Sequence, residues 1–235
     1  MVIKEADGER IYLGSTCTKL HRTAKDFASK VELKQLFKSM QQLNYSDARN
    51  RLIPRNLAIV LFIRDHGLRP RDIASINMNM LNLSQGIIQL KWEQEVITYN
   101  LSEKHVQYIR QYLSDIEKLK RPRYRTKDSL FIAYNNRSED FQYDYQNEQP
   151  KRLSVRGIQE MIKDEVQQAK LRKLSAKHIR NGFILNKLLQ GMTNNELLLL
   201  LHLNHPLSLY RYKKYLEMHA QNQNKENPKD QGFSQ

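Results

Sequence analysis

The sequence predicts a mainly α-helical α+β domain that includes a small antiparallel β-sheet. Three observations support this fold class. Apolar residues recur at helical spacing in several segments, some of these segments open with a capping box, and two alternating apolar segments lie close enough in sequence to form a hairpin. The chain has 235 residues, of which 40% are hydrophobic, so it is long enough to bury a core.

The first predicted helix follows residues 1–28, a weakly patterned segment that predicts an arm or linker and in which residues 11–17 are compatible with a short strand. Ser29 and Glu32 form a capping box, in which the serine side chain accepts from a backbone N–H group and the glutamate reaches back. The apolar side chains that follow share one helical face. They are Val31, Leu33, Leu36, Phe37, Met40 and Leu43.

A more apolar segment, residues 52–65, predicts the central buried helix. Pro54 lies in its first turn, where proline is tolerated, and Gly67 is positioned to end it. Arg69 therefore lies on a corner between a core helix and the next short helix. A corner of this kind can hold a guanidinium rigidly toward a site.

The middle of the chain predicts the sheet. Residues 87–91 and 95–99 are expected to form a hairpin, and residues 130–132 to add a third short strand. Ser102 is expected to cap a helix between these strands. Residues 134–149 are polar and rich in tyrosine, which predicts an exposed loop.

Helices are predicted again in the last third of the chain, where apolar periodicity and helix-end signals coincide. From Ala220 onward the sequence is polar and predicts a tail. The predicted helical segments are residues 156–169, the segment from Ser175 to Gly191, the segment opened by the capping box of Thr193 and Glu196, and the segment after Pro206.

The charge of the chain points to nucleic acid. The net charge is +14 and the pI is about 9.8, with basic residues spread along the whole length. Binding that neutralises phosphates releases counterions, so nucleic acid is the favoured partner, and a membrane surface is the weaker alternative.

Several other classes of protein are excluded or disfavoured. No apolar run approaches the roughly 18 residues that a transmembrane helix needs, and the first residues lack the apolar core of a secretory signal. Cys17 is the single cysteine, which permits no internal disulfide or cysteine metal cluster and fits a reducing cytosol. No phosphate-binding glycine loop is present, so no nucleotide cofactor is expected.

Three cations stand out by their placement. Arg69 lies on the corner described above, while Lys177 and Arg180 are one helical turn apart and share a face at the beginning of a helix. Arginine suits a bidentate grip on phosphate, and lysine offers a point charge or a proton. The alternative is that such a pair on a basic protein is simply a solvated face.

Tyrosines and histidines near the C-terminal end supply further candidates. Tyr210, Tyr212 and Tyr215 could each attack a phosphorus atom, although packing is the alternative role in a chain with 12 tyrosines. The nearby histidines lack a carboxylate that would complete a ligand set, so no metal is expected. They are His178, His202 and His205.

Residues 55–76 and 174–212 resemble the two conserved boxes of the tyrosine recombinase, or phage integrase, family. In the first box a buried helix leads to Gly-Leu-Arg and then to an acidic residue, here Asp72. The second box contains His/Lys-x-x-Arg and ends at the nucleophile. The resemblance implies a catalytic set of Arg69, Lys177, Arg180 and Tyr212, with Lys91 as the nearest candidate for the lysine that the family carries in its β-hairpin.

The second box departs from the family pattern at one position. Leu203 lies where the family usually has a His or Trp that donates a hydrogen bond in the transition state. His202 and His205 lie on either side, so either one of them substitutes or the donor is lost.

The resemblance also implies a domain organisation and a function. Residues 29–215 would form the catalytic domain, between an arm or linker at 1–28 and a polar C-terminal tail at 216–235. Family members usually carry an additional N-terminal core-binding domain, so this chain would be either a compact member or a fragment.

The implied activity is site-specific cleavage and rejoining of double-stranded DNA through a 3′-phosphotyrosine, without metal, ATP or another cofactor. Strand exchange would use four copies of the chain on two DNA sites, in the cytoplasm and in association with the nucleoid. Two alternatives stay open. One is a repressor-like DNA-binding regulator with the same fold, and the other is an unrelated basic scaffold in which the site residues do not converge.

Overall fold

The computed structural model describes residues 3–6, 9–12, 22–44, 46–92 and 95–226. The chain divides into two compact units. The larger unit comprises residues 25–206, and the smaller unit combines residues 1–24 with residues 207–235. None of the helices within the described ranges has the length and apolar character that a membrane span requires.

The larger unit is mainly helical with small antiparallel sheets, as the sequence predicts. Four of its helices begin at the capping residues that the sequence indicates, namely Ser29, Ser102, Ser175 and Thr193. The described α-helices of this unit are α1 (Lys30–Met40), α2 (Asp47–His66), α3 (Pro70–Ala74), α4 (Glu103–Ser114), α5 (Val155–Gln168), α6 (Ala176–Leu189) and α7 (Asn194–Leu201).

Helix α2 forms the centre of the core. Every residue from 55 to 63 is buried, and the helix packs against α4 and α6. It begins five residues earlier than the sequence predicts, because the side chain of Ser46 accepts a hydrogen bond from the backbone N–H of Arg49 and caps the helix there. Gly67 ends the helix with a left-handed backbone, as predicted.

The main sheet has three antiparallel strands in the order β3 (Leu81–Asn82), β4 (Ile87–Trp92) and β5 (Glu95–Asn100). The predicted hairpin is therefore confirmed, whereas the predicted third strand is wrong. Residues 129 and 132 form only isolated bridges, and the third strand comes instead from the segment directly before the hairpin.

The segment predicted as an exposed loop contains two short hairpins. The first pairs β6 (Tyr134–Asn135) with β7 (Asp140–Phe141), and the second pairs β8 (Tyr143–Asp144) with β9 (Gln149–Pro150). Phe141 anchors the first hairpin, since its side chain is 2% exposed and its ring lies 5.2 Å from that of Tyr134 and 5.8 Å from that of Tyr112. A buried aromatic residue thus ties this hairpin to the core, although the segment is polar in composition.

A buried polar network joins α2 to α5. The carboxylate of Glu165, which is 3% exposed, accepts hydrogen bonds from Arg49 at 2.9 Å and from the Asn56 amide at 3.0 Å. The guanidinium of Arg55 donates to the side-chain oxygen of Asn56 and to the carbonyl of Ile132. Burial lowers the pKa of Arg55 to about 10. Each charged group in this network has a partner, which is the condition under which buried charge is tolerated.

The smaller unit contains a hairpin of β1 (Ile3–Ala6) and β2 (Glu9–Tyr12) and a long helix, α8 (Leu207–Glu226). Residues 216–226 of the predicted polar tail are therefore helical, and residues 227–235 lie outside the described residues. Of the strand predicted at residues 11–17, residues 11 and 12 belong to β2, and the others lie outside the described residues. The predicted boundaries of the catalytic domain, at residues 29 and 215, remain predictions.

Candidate functional site

The corner that carries Arg69 is formed by the end of α2 and the beginning of α3. Gly67 has a φ of +65°, which turns the chain out of α2, and Arg69 occupies the N-cap position of α3 with an extended backbone. Pro70 is the first residue of α3, where a backbone N–H would have no partner within the helix, so its absence in proline costs nothing. The backbone N–H of Arg69 donates to the carboxylate of Asp72 at 2.9 Å, so the acidic residue of the motif holds the turn.

Gly67 is required for space as well as for its backbone angle. A Cβ atom at this position would lie 2.6 Å from the ring of Phe183 on α6 and 2.7 Å from a methyl group of Leu201 on α7. Contacts this short do not occur between real Cβ atoms and their neighbours. The close approach of α6 and α7 to the corner therefore depends on glycine.

The guanidinium of Arg69 is tied to the C-terminal end of α7. Its Nη2 group donates to the carbonyl oxygens of Leu201 at 3.3 Å and of His202 at 3.1 Å. Its Nε atom lies 3.7 Å from a carboxylate oxygen of Asp72. The last carbonyls of a helix carry partial negative charge, so a cation is well placed there. These contacts fix the side chain, which is 26% exposed.

Arg69 faces a pocket of about 680 Å³ that is lined by two further cations, Arg71 and Lys91. Lys91 reaches this pocket from β4, and its neighbour Trp92 lines it too. The pocket is lined by Arg69, Arg71, Asp72, Ser75, Lys91, Trp92, His202, Leu203 and Asn204. Two of the predicted site residues, Arg69 and Lys91, thus line one opening although they come from a helix corner and a strand.

His202 is the histidine that lines this pocket. It caps α7 with a left-handed backbone, φ +47°, and its ring stacks on the indole of Trp92 with centroids 4.9 Å apart and planes 16° from parallel. A left-handed residue at a helix end redirects the chain, and here it brings His202 into the lining of the pocket that Arg69 faces. Leu203, which holds the expected donor position in the sequence, lines the same pocket with an apolar side chain.

Arg180 contacts the same corner from α6. Its Nε atom donates to the carbonyl oxygen of Gly67 at 2.6 Å, two residues before Arg69. Lys177, one turn earlier, is exposed. Neither Arg180 nor Lys177 is among the residues that line the pocket. The two cations of the predicted pair therefore have different environments, and only Arg180 is anchored to the backbone of the corner.

His178 serves to cap α6. Its Nδ1 atom accepts a hydrogen bond from the backbone N–H of Ser175 at 3.1 Å and lies 2.8 Å from the serine hydroxyl. Burial, together with the cation of Arg172, lowers the pKa of His178, which keeps Nδ1 available as an acceptor. Within the described part of the chain, no group of three or more His, Cys, Asp or Glu residues is arranged to hold a metal ion.

Tyr99, which sequence analysis did not identify, joins the sheet to α7. Its hydroxyl donates to the carbonyl oxygen of Leu200 at 2.7 Å, and its side chain is buried. Burial raises the pKa of Tyr99 to about 12, and the Asp72 carboxylate adds to this effect while the Arg180 cation opposes it. The alternation of β5 could have indicated an inward-facing Tyr99, but not its bond to a helix end far along the chain.

Tyr212 lies on α8, in the smaller unit. Its side chain is 3% exposed, and the guanidinium carbon of Arg22 lies 4.0 Å from the centre of its ring. Tyr210, by contrast, is 46% exposed. Burial raises the pKa of Tyr215. The convergence of Tyr212 with the arginines of the larger unit stays a prediction.

Comparisons with known proteins identify the family and the fold of the chain. The family model described as the phage integrase family matches residues 27–201. No curated protein matches the sequence significantly.

Solved structures share the fold. XerA recombinase is 20% identical with a TM-score of 0.60, covering 88% of this chain and 66% of that one. XerH site-specific recombinase, bound to its difH substrate before cleavage, is 15% identical with a TM-score of 0.60, and the match covers 83% of this chain and 52% of that one. The Tn1549 transposon integrase, in complex with circular intermediate DNA, is 12% identical with a TM-score of 0.57, and the match covers 81% of this chain and 61% of that one. This chain thus spans between half and two thirds of the length of the proteins it matches.

Proposed function

We propose that this chain, which belongs to the phage integrase family, is a site-specific DNA recombinase that cleaves and rejoins DNA through a 3′-phosphotyrosine intermediate. The observation that carries this proposal is the pocket lined together by Arg69, Lys91 and His202. Groups that bind anions or donate protons meet there at one opening. Such an arrangement suits charge that builds up on a phosphate during transfer.

In the proposed mechanism, Arg69 and Arg180 bind the non-bridging oxygens of the scissile phosphate. A guanidinium offers a planar fork of N–H donors that matches phosphate oxygens. Bonds to the backbone of the corner and of α7 hold both side chains before the substrate arrives. Because these cations are already oriented, little reorganisation accompanies the charge that develops in the pentacoordinate transition state.

Lys91 is proposed as the general acid for the leaving group. Its ammonium group reaches the pocket from the end of β4, next to the arginine that would bind the phosphate. A proton donated to the departing 5′ oxygen avoids the release of an alkoxide. In the reverse step the resulting amine takes the proton back from the 5′-hydroxyl.

His202 is proposed to supply the hydrogen bond that Leu203 cannot make. The imidazole is held by its stacking on Trp92 and by the left-handed turn at the end of α7. The carbonyl of the same residue receives a bond from Arg69, so the donor and the cation form one connected unit. An N–H group in this position would stabilise a non-bridging oxygen in the transition state.

Tyr212 is proposed as the nucleophile. Its phenolic oxygen attacks the phosphorus, a bond forms between the tyrosine and the 3′ phosphate, and the bond to the 5′ oxygen breaks. Attack of a 5′-hydroxyl on the phosphotyrosine then rejoins the strand and releases the tyrosine. The number of phosphoester bonds is conserved in each step, so neither ATP nor a metal is required to balance the reaction.

Lys177 is proposed to assist from outside the pocket. It is exposed on the first turn of α6, in the helix that carries Arg180. From there its charge would attract the phosphate next to the scissile one or assist proton transfer. Its removal should therefore affect the reaction less than removal of Arg180.

Double-stranded DNA is the proposed substrate, and the net charge of +14 supports this choice. The XerH and Tn1549 proteins named above were solved with DNA. Four copies on two DNA sites would carry out strand exchange, and the protein would act in the cytoplasm in association with the nucleoid.

A suicide substrate tests the reaction. The recognition site is first selected from a random duplex library by its binding to the protein, and the selected duplex is then nicked close to the scissile phosphate. Cleavage releases a short fragment, which prevents rejoining, so a covalent protein–DNA adduct should accumulate on a denaturing gel. The Tyr212→Phe variant should form no adduct and should still bind DNA.

Tyr210→Phe and Tyr215→Phe are the matched controls and should retain adduct formation. An adduct that survives in Tyr212→Phe would assign the nucleophile to another residue. Tight binding to the selected site without any adduct from the unmodified protein would contradict the recombinase proposal and support the DNA-binding regulator instead.

A further inference from the structure

A groove on the larger unit combines an apolar floor with a cationic rim. It has a volume of about 570 Å³ and lies where α1, α2 and α4 meet. Leu33, Phe37 and Leu61 form its floor, and the guanidinium of Arg64 lies 4.5 Å from the centre of the Phe37 ring. We call this surface, lined by Lys30, Leu33, Lys34, Phe37, Lys38, Gln41, Leu61, Arg64, Ser102, Lys104 and Tyr108, the lysine groove.

The rim of the lysine groove carries positive charge that the larger unit does not balance. Lys30, Lys34 and Lys38 repeat every four residues, so they lie along one face of α1, and Lys104 belongs to the same rim. Among the described residues these four lysines take part in no ion pair, whereas Arg64 is paired with Asp65. Aligned like charges repel one another within a helix, and this repulsion would be relieved by an anionic partner.

The hairpin formed by β8 and β9 has the complementary character. Its turn exposes Tyr145, whose side chain is 68% exposed and whose ring meets that of Tyr143 at 5.1 Å. The whole segment, residues 134–150, is acidic although the chain as a whole is strongly basic. It contains four carboxylates and one arginine, namely Glu139, Asp140, Asp144, Glu148 and Arg137.

The segment that contains the hairpin and the lysine groove contact opposite ends of α2. Arg51, near the start of α2, donates from its guanidinium to the carbonyl of Glu139 and lies 5.3 Å from the ring centre of Phe141, in the β6–β7 hairpin that directly precedes β8. The groove contains Arg64, which is 13 residues further along α2, or about 20 Å at 1.5 Å per residue. Both surfaces are built on packed elements, so they cannot meet within one molecule.

We propose that the β8–β9 hairpin of one copy of this chain docks in the lysine groove of a second copy. Tyr145 would enter the apolar part of the groove and Glu148 would meet the lysine rim. Asp144 holds the turn between them, because its carboxylate accepts hydrogen bonds from Gln146 and Asn147. The two surfaces are different, so the contact is head-to-tail, and such contacts build rings or filaments. The inference does not depend on the recombination chemistry.

The apolar floor favours this partner over duplex DNA. Phosphates could neutralise the lysines, but the outer surface of a duplex offers no apolar group of the size that would fill the cavity over Phe37 and Leu61. An exposed tyrosine flanked by carboxylates satisfies both parts of the groove. Aromatic residues are also enriched at the centres of protein interfaces.

Charge exchange between the two surfaces tests the contact. Self-association of the full chain is measured by sedimentation equilibrium at low salt, where charge pairs are weakly screened. Lys34→Glu and Glu148→Lys should each weaken association by about 10-fold, and the double variant should recover to within about 3-fold of the unmodified protein, as expected for a direct charge pair. Tyr145→Ala should weaken association without rescue by either charge change.

Lys173→Glu, an equal charge reversal at an exposed lysine outside the groove that takes part in no ion pair among the described residues, is the matched control and should leave association unchanged. Thermal unfolding of each variant reports whether it folds. The proposal is overturned if the unmodified chain stays monomeric at all concentrations, or if the double variant is no better than the single ones. It is also overturned if Lys34→Glu reduces DNA affinity and leaves association intact, since the groove would then bind DNA.

Discussion

The Arg69 corner and the lysine groove are both basic surfaces of the same unit, but they hold their cations differently. At the corner, the guanidinium groups of Arg69 and Arg180 donate to backbone carbonyls, and a glycine allows the neighbouring helices to approach. On the rim of the groove, the lysines of α1 extend from an exposed helix face. The first arrangement suits one phosphate in one position, whereas the second suits a broader, interchangeable set of anionic groups.

The contrast explains why charge alone does not locate the proposed catalytic site in a protein of net charge +14. Catalysis depends on donors that are oriented before the reaction, while docking between proteins tolerates several positions of a flexible ammonium group. Variants of the two surfaces test whether oriented cations at the corner and flexible lysines on the groove differ in function, and the largest effect is expected at Arg69.

Arg69→Lys should have the largest effect, because it keeps the charge of the corner and removes the planar fork. We expect adduct formation on the suicide substrate to slow by about 10²–10³-fold, with DNA binding nearly unchanged. Arg156→Lys, at an exposed position on α5, is the control and should react normally. An equal rate for Arg69→Lys and the unmodified protein would mean that orientation at the corner is not important.

Gly67→Ala should strongly destabilise the larger unit. The positive φ strains an L-residue and the added methyl group overlaps Phe183 and Leu201, so we expect a loss of about 2–4 kcal/mol in the free energy of unfolding, measured with urea. Gly191→Ala separates the two causes, because Gly191 also has a positive φ but has no atom within 4 Å of the added position. Its loss should be about 1 kcal/mol. If the two variants lose the same free energy of unfolding, the close packing around Gly67 contributes little to stability.

The core beneath the corner should make stability depend on pH. Burial lowers the pKa of His66 to about 4 and that of His105 to about 3, and their rings lie 5.7 Å apart. The folded state therefore binds fewer protons than the unfolded state below the ordinary histidine pKa of about 6.5. The two neutral histidines therefore make their full contribution to stability above that pH. This contribution is lost as the pH falls toward their pKa values in the folded state.

Between pH 7 and pH 5 we expect the free energy of unfolding to fall by about 2–4 kcal/mol, measured by urea denaturation. The carboxylates whose pKa values are lowered, such as Asp128 and Glu32, lose their contribution at lower pH and do not account for this window. If the free energy of unfolding stays constant over this range, the two imidazoles are not buried in their neutral form.

Lys34→Gln should have the smallest effect on the isolated chain. Removing one of the aligned charges of α1 should stabilise the helix by about 0.3 kcal/mol, since each like-charge pair at this spacing is mildly unfavourable. Adduct formation on a single site should not change. A large loss of adduct would place Lys34 in the DNA interface and would remove the functional distinction between the two basic surfaces.

Much of the secondary structure was predictable because its signals are local. Ser29, Ser102 and Thr193 cap helices where the sequence indicates, and the central hairpin has the predicted pairing. The third strand was misplaced because a strand of two residues carries almost no periodic signal. The two hairpins of residues 134–150 were missed because the burial of Phe141 depends on partners that are distant in sequence.

The site was predictable only in part. Motif spacing singles out Arg69, Arg180 and Lys91, but it does not reveal that Arg180 binds the carbonyl of Gly67 or that only Arg69 and Lys91 of the predicted set line the pocket. The position of His202 follows from a left-handed turn and from stacking on Trp92. Neither feature can be read from the composition of the segment.

The sequence by itself determined the fold class, several helix starts such as those at Ser29, Ser102 and Thr193, the basic character of the chain and the set of residues that resemble a recombinase site. These depend on periodicity, capping and charge, which act over a few residues or over the whole chain. Only the tertiary structure decided which of these residues meet, because Arg69, Lys91 and His202 come from three elements whose packing is set by long-range contacts. For the same reason, only the folded chain separates the oriented cations of the corner from the exposed lysines of the groove.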